Sequence, residues 1–208
     1  CLMFSALNTM RHPLQKKFKL KDFELSQNYT NFWDKFEKSN WFFENVIATA
    51  DKPLGDRKVS FLFTTPQQDG GQWDMLCGII EKYGIVPKSV YPETANSNNS
   101  SALNDTLNTL LRKDGLELRK LVNDGKSEDE VQARKEEMLN DVFRVLSISL
   151  GVPPTKFNFE YRDDDKNYRI DKDITPKEFF DKYVGMDLEN HISTINAPTS
   201  DKPFHKVF

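Results

Sequence analysis

Between Ala102 and Pro154 the chain carries two long runs of apolar residues at helical spacing, separated by a single stop. Leu103, Leu107, Leu110, Leu111, Leu118 and Leu121 recur at intervals of three, four and seven, which places them along one face of a helix. Gly125 stops that helix. Ser127 and Glu130 have the spacing of a capping box, which starts a second helix carrying Val131, Met138, Leu139, Val142, Phe143 and Leu146. Gly151, followed by Pro153 and Pro154, ends it. Two helices of this length joined by so short a connection must lie antiparallel, and neither can bury its face alone. The rest of the chain has to supply a partner layer.

That layer is legible upstream. Phe4, Leu7, Met10 and Leu14 read as a buried helical face beginning at or near Cys1, with Pro13 expected to end or kink the helix near His12. Ser26 is a plausible N-cap for a helix whose Tyr29, Phe32, Trp33 and Phe36 form an aromatic stripe, of the kind that packs a core. "RKVSFLFTT" (Arg57 to Thr65) is β-rich and reads as a strand, broken by Pro66 and the pair Gly70 and Gly71. A further helix is expected from about Gln72, with Trp73, Leu76, Ile80 and Tyr83 on one side and Gly84 as its stop; "IVPKSVYPE" leaves it as an extended segment. After the hairpin, "KFNFEYR" alternates as a strand. "DDDKN" turns it into a second strand around Tyr168 to Ile170, and Thr175 with Pro176 opens a short helix.

Composition narrows the partners. With 29 basic and 32 acidic residues the formal net charge is -3, which gives no electrostatic reason for nucleic acid or an anionic membrane as main partner. No apolar stretch approaches the length that spans a bilayer, and the residues after Cys1 do not form a secretory leader, so the chain is expected to be cytoplasmic. Two cysteines, Cys1 and Cys77, cannot build a disulfide framework. Without a secretory signal, the Asn-x-Ser/Thr triplets that begin at Asn28, Asn98, Asn99 and Asn104 are discounted as glycan sites. The acidic turn Asp163, Asp164, Asp165, Asn167 fails the calcium-loop template, with Tyr168 where Gly and Ile174 where Glu belong, and is read as a solvated turn. No metal or cofactor is expected.

Cys1 invites three readings: a buried small hydrophobe, an N-terminal nucleophile using its own amine as base, or a thiolate stabilised by the positive end of a helix. The helical character of the residues after it suits the third. A thiol hydrolase also needs an imidazole. His12 lies eleven residues along the same helix, roughly 16 Å away, and cannot reach the sulfur. His191 and His205 lie far downstream in surroundings that do not suit a base. Cys77, one turn after Trp73 and beside Leu76, is expected to be structural.

Several segments together resemble the papain-like cysteine peptidases. "CLMFSA" resembles the start of their central helix, "ELSQNY" the element that opens the next helix, and "DGGQWDM" with "EKYGIVPKSVYPE" their Gly-Gly loop, helix and Tyr-Pro passage, in the same order. "SQNYTNFWDKFEKSNWFFE", "TPQQDGGQWDM" and "INAPTSDKP" are most similar to the aminopeptidase C and bleomycin hydrolase branch. The resemblance implies an α+β, mostly helical fold: the left-hand lobe of a papain-like peptidase at about 1–95, an inserted helical hairpin plus β-hairpin at about 96–175, and a return segment toward a second lobe at 176–208. It implies a cysteine-type aminopeptidase acting on peptides with a free N-terminus and assembled as a hexamer. Cys1 is its nucleophile, and Gly70 and Gly71 form the loop whose backbone meets substrate. Leu2 stands where that family has Trp. The family's upstream Gln and its His and Asn have no counterparts here, so Cys1 is expected to be an internal residue of a longer enzyme, and the 208-residue piece is expected to be inactive. The alternatives are an N-terminal-nucleophile amidohydrolase and a non-catalytic assembly module.

Overall fold

The computed structural model describes residues 2–188 and 190, apart from Lys21 and Asp164; of Leu2 only the backbone is described. Cys1, His191 and His205 lie outside the described residues. The elements run α1 (Leu2–Phe18), α2 (Gln27–Ala48), α3 (Arg57–Thr64), α4 (Trp73–Tyr83), α5 (Ala95–Asn98), α6 (Ser101–Asn123) and α7 (Glu128–Leu150). The antiparallel hairpin β1 (Phe157–Arg162) and β2 (Tyr168–Ile174) follows, then α8 (Pro176–Phe179), which continues as one wider helical turn over Phe180–Val184.

The hairpin α6/α7 is as the leucine spacing requires. Ser127 Oγ accepts from the Glu130 amide while the Glu130 carboxylate accepts from the Ser127 amide at 3.0 Å, closing the capping box. Gly151, at φ 96°, ends α7. Ser26 caps α2 by accepting from the Tyr29 amide at 3.0 Å, and it donates to the Tyr91 carbonyl at 2.5 Å. Thr175 caps α8 with Pro176 in its first turn, as the sequence suggests.

Two of the expected elements differ. Arg57–Thr64 is helix α3, not a strand. The Asp56 carboxylate accepts from the amides of Lys58 and Val59, and Val59 and Leu62 are the buried pair, three residues apart. The cap and a single-sided burial decide the conformation against the β-branched and aromatic side chains. Nor does Pro13 end α1, which runs on to Phe18 with Pro13 inside it. An internal proline costs a helix about 3 kcal/mol. Leu14, fully buried just beyond it, and Phe18, which packs on the same core, offset that cost.

Two apolar clusters form. The first joins Leu7, Met10 and Leu14 of α1 to Tyr29, to Leu76 and Ile80 of α4, and to the β-hairpin and α8 through Phe159 and Phe179. The second joins Phe32, Phe42, Phe43 and Val46 of α2 to Leu62 and to the inner faces of α6 and α7. Helix α2 serves both, and Trp33 packs against each. Gly84 ends α4 at φ 72°, and a Cβ there would lie 2.3 Å from the Pro176 carbonyl carbon. Only glycine lets the end of α4 sit against the start of α8.

Candidate active site

One member of the predicted α1 face does not join the core. Phe4 is 53% exposed. With Met3 it lines a cavity of about 460 Å³ whose other walls include Asn31 and Asp34 of α2, Met75 and Ile79 of α4, Ser100 before α6, and the loop Asp69, Gly70, Gly71, Gln72. A cavity of this volume is in the range that holds a small ligand. Thus the first turn of the helix that directly follows Cys1 in sequence shares a cavity with the two glycines singled out from the sequence. The position of the thiol itself, and those of His191 and His205, are outside the described residues. His12 is exposed on α1.

Gly70 and Gly71 are exposed, neither has a left-handed φ, and a Cβ built on either meets nothing within 4 Å. Nothing in the chain's own packing demands glycine there. A requirement for glycine would have to come from something that approaches the loop.

The loop is held firmly from behind. Lys38 of α2, its side chain only 11% exposed, donates to the Asp34 carboxylate at 2.5 Å, to the Gly70 carbonyl at 2.7 Å and to the Gln68 carbonyl at 3.0 Å. One turn earlier Lys35, fully buried, donates to Asp69 Oδ1 at 2.8 Å and to Asn104 Oδ1 at 2.6 Å. Asp69 Oδ2 accepts from Ser100 at 2.8 Å and from Asn104 Nδ2 at 3.0 Å. Gln67, buried, donates to the Lys35 carbonyl and to Ser39, and its amide donates to Asn108 Oδ1 at 2.8 Å.

These surroundings pull the two carboxyls in opposite directions. Burial would raise Asp69, but the hydrogen bonds from Lys35, Ser100 and Asn104 and the Lys35 charge outweigh it and hold it below its ordinary value. Burial raises Asp34 above its ordinary value despite Lys38 beside it. Cys77 is buried on α4, and burial, with Glu81 and Asp74 nearby, pushes its thiol up and away from the reactive thiolate. Among the described residues no group of three or more His, Cys, Asp or Glu side chains is placed to hold a metal ion.

A mostly helical lobe in which the start of a buried helix faces a Gly-Gly loop across a cavity has the architecture of a papain-like lobe. The chain belongs to the Peptidase C1-like family, whose pattern matches residues 1–208. Over its whole length it is 92% identical to Aminopeptidase C of Lactobacillus helveticus and 77% identical to Aminopeptidase C of Lactobacillus delbrueckii subsp. lactis, covering 46% of each. The crystal structure of PepW from Lactobacillus rhamnosis HN001 superposes with a TM-score of 0.93 at 65% identity, over 98% of this chain and 46% of that one. The chain therefore spans about half the length of the relatives it matches. Family and helical start together set aside the N-terminal-nucleophile alternative.

What sequence reasoning missed is the apparatus behind the loop. Lys35 and Lys38 stand beside the aromatic stripe of α2 as two ordinary charges, and Asn104 is legible only as the start of a discounted glycan triplet. Their one available signal is spacing: at i and i+3 the two lysines must lie on the same side of α2.

Proposed function

We propose that the natural protein is a cysteine-type aminopeptidase, with Cys1 as nucleophile and Gly70 and Gly71 as the substrate-binding loop. The observation that carries this is the cavity shared by Met3, Phe4 and the glycine pair, because it brings the chain next to Cys1 up to exposed backbone that an extended peptide can pair with. The Cys1 thiolate adds to the carbonyl carbon of the first peptide bond. The C–N bond then breaks, the leaving amine takes a proton, and water cleaves the resulting thioester. The start of α1, which follows Cys1 directly, contributes the positive end of its dipole toward a thiolate. The proton-shuttling His, the Asn that orients it and an upstream Gln at the oxyanion are assigned, by family resemblance, outside these 208 residues.

The same resemblance supports the finer reading: a lobe at about 1–95, an insertion at about 96–175 and a return segment at 176–208, in a cytoplasmic homohexamer acting on peptides with a free N-terminus. Among the described residues no helix is long and apolar enough to cross a membrane.

The test uses the full-length natural protein with an amino-acid arylamide. Cys1→Ala should lower kcat by at least about 10³-fold, since loss of one member of such a catalytic unit removes most of its effect. Gly71→Val should raise KM with thermal stability unchanged. Turnover by Cys1→Ala at the parent rate would overturn the assignment, and would equally follow if the protein were an assembly module whose apparent activity came from a contaminant.

A further inference from the structure

We infer that Lys38 of α2 and Asn104 of α6 are positioning residues for catalysis, which set the conformation of the Gly70–Gly71 loop from two sides, outside the cavity that the loop shares with Met3 and Phe4. This rests on the proposed role of that loop in binding substrate. Neither residue lines the cavity that the loop shares with Met3 and Phe4; Lys38 borders a separate cavity of about 850 Å³, which the two glycines share with Trp41 and Phe61.

The geometry is specific. An ammonium has three protons to give, and all those of Lys38 are committed, one to Asp34 and two to carbonyls of the loop itself. The Gly70 carbonyl is thereby fixed by a charge-assisted bond, which is shorter and stronger than a neutral one. On the other flank Asn104 uses both ends of its amide. Its oxygen accepts from Lys35 and its nitrogen donates to Asp69, the residue before Gly70. Two adjacent glycines are the most permissive backbone available, and nothing else packs where their Cβ atoms would lie. A loop that must present exposed backbone in one conformation, and that carries no side chain to anchor it, depends on such outside ties. The consequence is that α6 of the helical hairpin is part of the substrate site's support, in addition to whatever contacts its outer face makes.

The experiment compares Lys38→Met, Lys38→Arg, Asn104→Leu and Gly71→Val in the full-length natural protein. The readouts are KM and kcat on an amino-acid arylamide and amide hydrogen exchange of residues 68–72. Lys38→Met and Asn104→Leu should each raise KM about tenfold with kcat within about twofold, and should speed exchange in the loop while exchange in α7 is unchanged. Lys38→Arg, which keeps a cation at that point, should recover part of the KM loss. Should Lys38→Met fold poorly because Asp34 loses its counter-charge, Asn104→Leu, with no buried charge left unpaired, carries the test. If Gly71→Val raises KM but neither positioning variant does, or if loop exchange is unaffected, the inference is overturned and the loop's role stands. If Gly71→Val leaves KM unchanged, the loop is not a substrate contact and both fall.

Discussion

Lys35 is a fully buried cation whose charge partner, Asp69, is about half exposed, its side chain at 54%. Removing one side of such a pair leaves an uncompensated charge in the interior, which costs on the order of 3 kcal/mol, whereas removing both costs far less. Asp69→Ala should therefore lower stability by about 3 kcal/mol, and Lys35→Met with Asp69→Ala should recover most of it; chemical denaturation of the three chains measures both steps. The pH dependence has a definite sign. Asp69 sits below its ordinary value in the folded chain, so its contribution is complete above about pH 3.9, the unfolded carboxyl's pKa, and is lost as pH falls toward the folded value. Asp34 sits above its ordinary value, so its ionisation costs stability above its folded pKa and that cost is relieved as pH falls through it. Acidification from neutrality should first relieve Asp34 and only later loosen Asp69. In Asp69→Ala the later loss should be absent from an acid titration of stability. Cys77 belongs to the same scale: buried and with its thiol pushed up, it should react with iodoacetamide in the folded chain far more slowly than in urea. Equal rates would mean that α4 opens freely.

At the scale of elements, α2 and α6 approach closely because Gly115 lies between them. A Cβ at Gly115 would sit 3.0 Å from two ring carbons of Phe42 and 3.2 Å from one of Phe63. Helix propensity alone would favour alanine by about 1 kcal/mol. Phe42 is fully buried and cannot retreat, and overpacking of this kind costs about 1–3 kcal/mol. Gly115→Ala should destabilise by about 1 kcal/mol net, and Phe42→Leu should cancel the effect of the added methyl in a double-mutant cycle. Gly115 was invisible as a packing device, since in sequence it is only a glycine inside a leucine-rich helix. What could be read were features that act locally. The Ser127/Glu130 box, the Gly84 and Gly151 stops and the Thr175-Pro176 start each specify a helix end from neighbouring residues alone. Helix α3 was misread because its side chains favour a strand, while the Asp56 cap and the spacing of Val59 and Leu62 were the deciding signals. The extent of α1 was misread because the burial of Leu14 and Phe18 that outweighs Pro13 depends on partners far away in the chain. In the candidate site the glycine pair stood out as a breaker, and Phe4 was placed in the core because periodicity cannot tell a core from a cavity wall. The lysine and asparagine ties behind the loop join α2 to α6 across the chain, and such pairings are not encoded in any local stretch.

For the whole molecule, the question is whether two apolar clusters make two folding units or one. Helix α2 contributes its first turn to one cluster and mostly its later turns to the other, and Trp33 joins them physically. Its ring stacks on Tyr83 of α4 at 3.8 Å between centroids and 8° between planes, and meets Phe143 of α7 at 6.3 Å. Further ties run between the same regions: Asn28, at the start of α2, donates to the Leu150 carbonyl at the end of α7 at 2.9 Å, and the Tyr91 hydroxyl donates to the Gly151 carbonyl at 2.6 Å. Since α2 cannot stay folded with only half of its faces covered, loss of either cluster should unfold the other. The 208-residue chain should accordingly lose its indole fluorescence signal and its far-ultraviolet helix signal at the same denaturant concentration. Trp33→Ala removes the shared ring and about 3 kcal/mol or more. It should do more than lower the midpoint: the helix signal should separate from the aromatic near-ultraviolet signal, because α6 and α7 keep their own interface through Leu107, Leu111, Val142 and Leu146 while the α1, α4 and β-hairpin side loosens. Two transitions in the unmodified chain, or a single sharp transition in Trp33→Ala, would show that α2 does not couple the clusters and that the lobe and the helical hairpin fold independently.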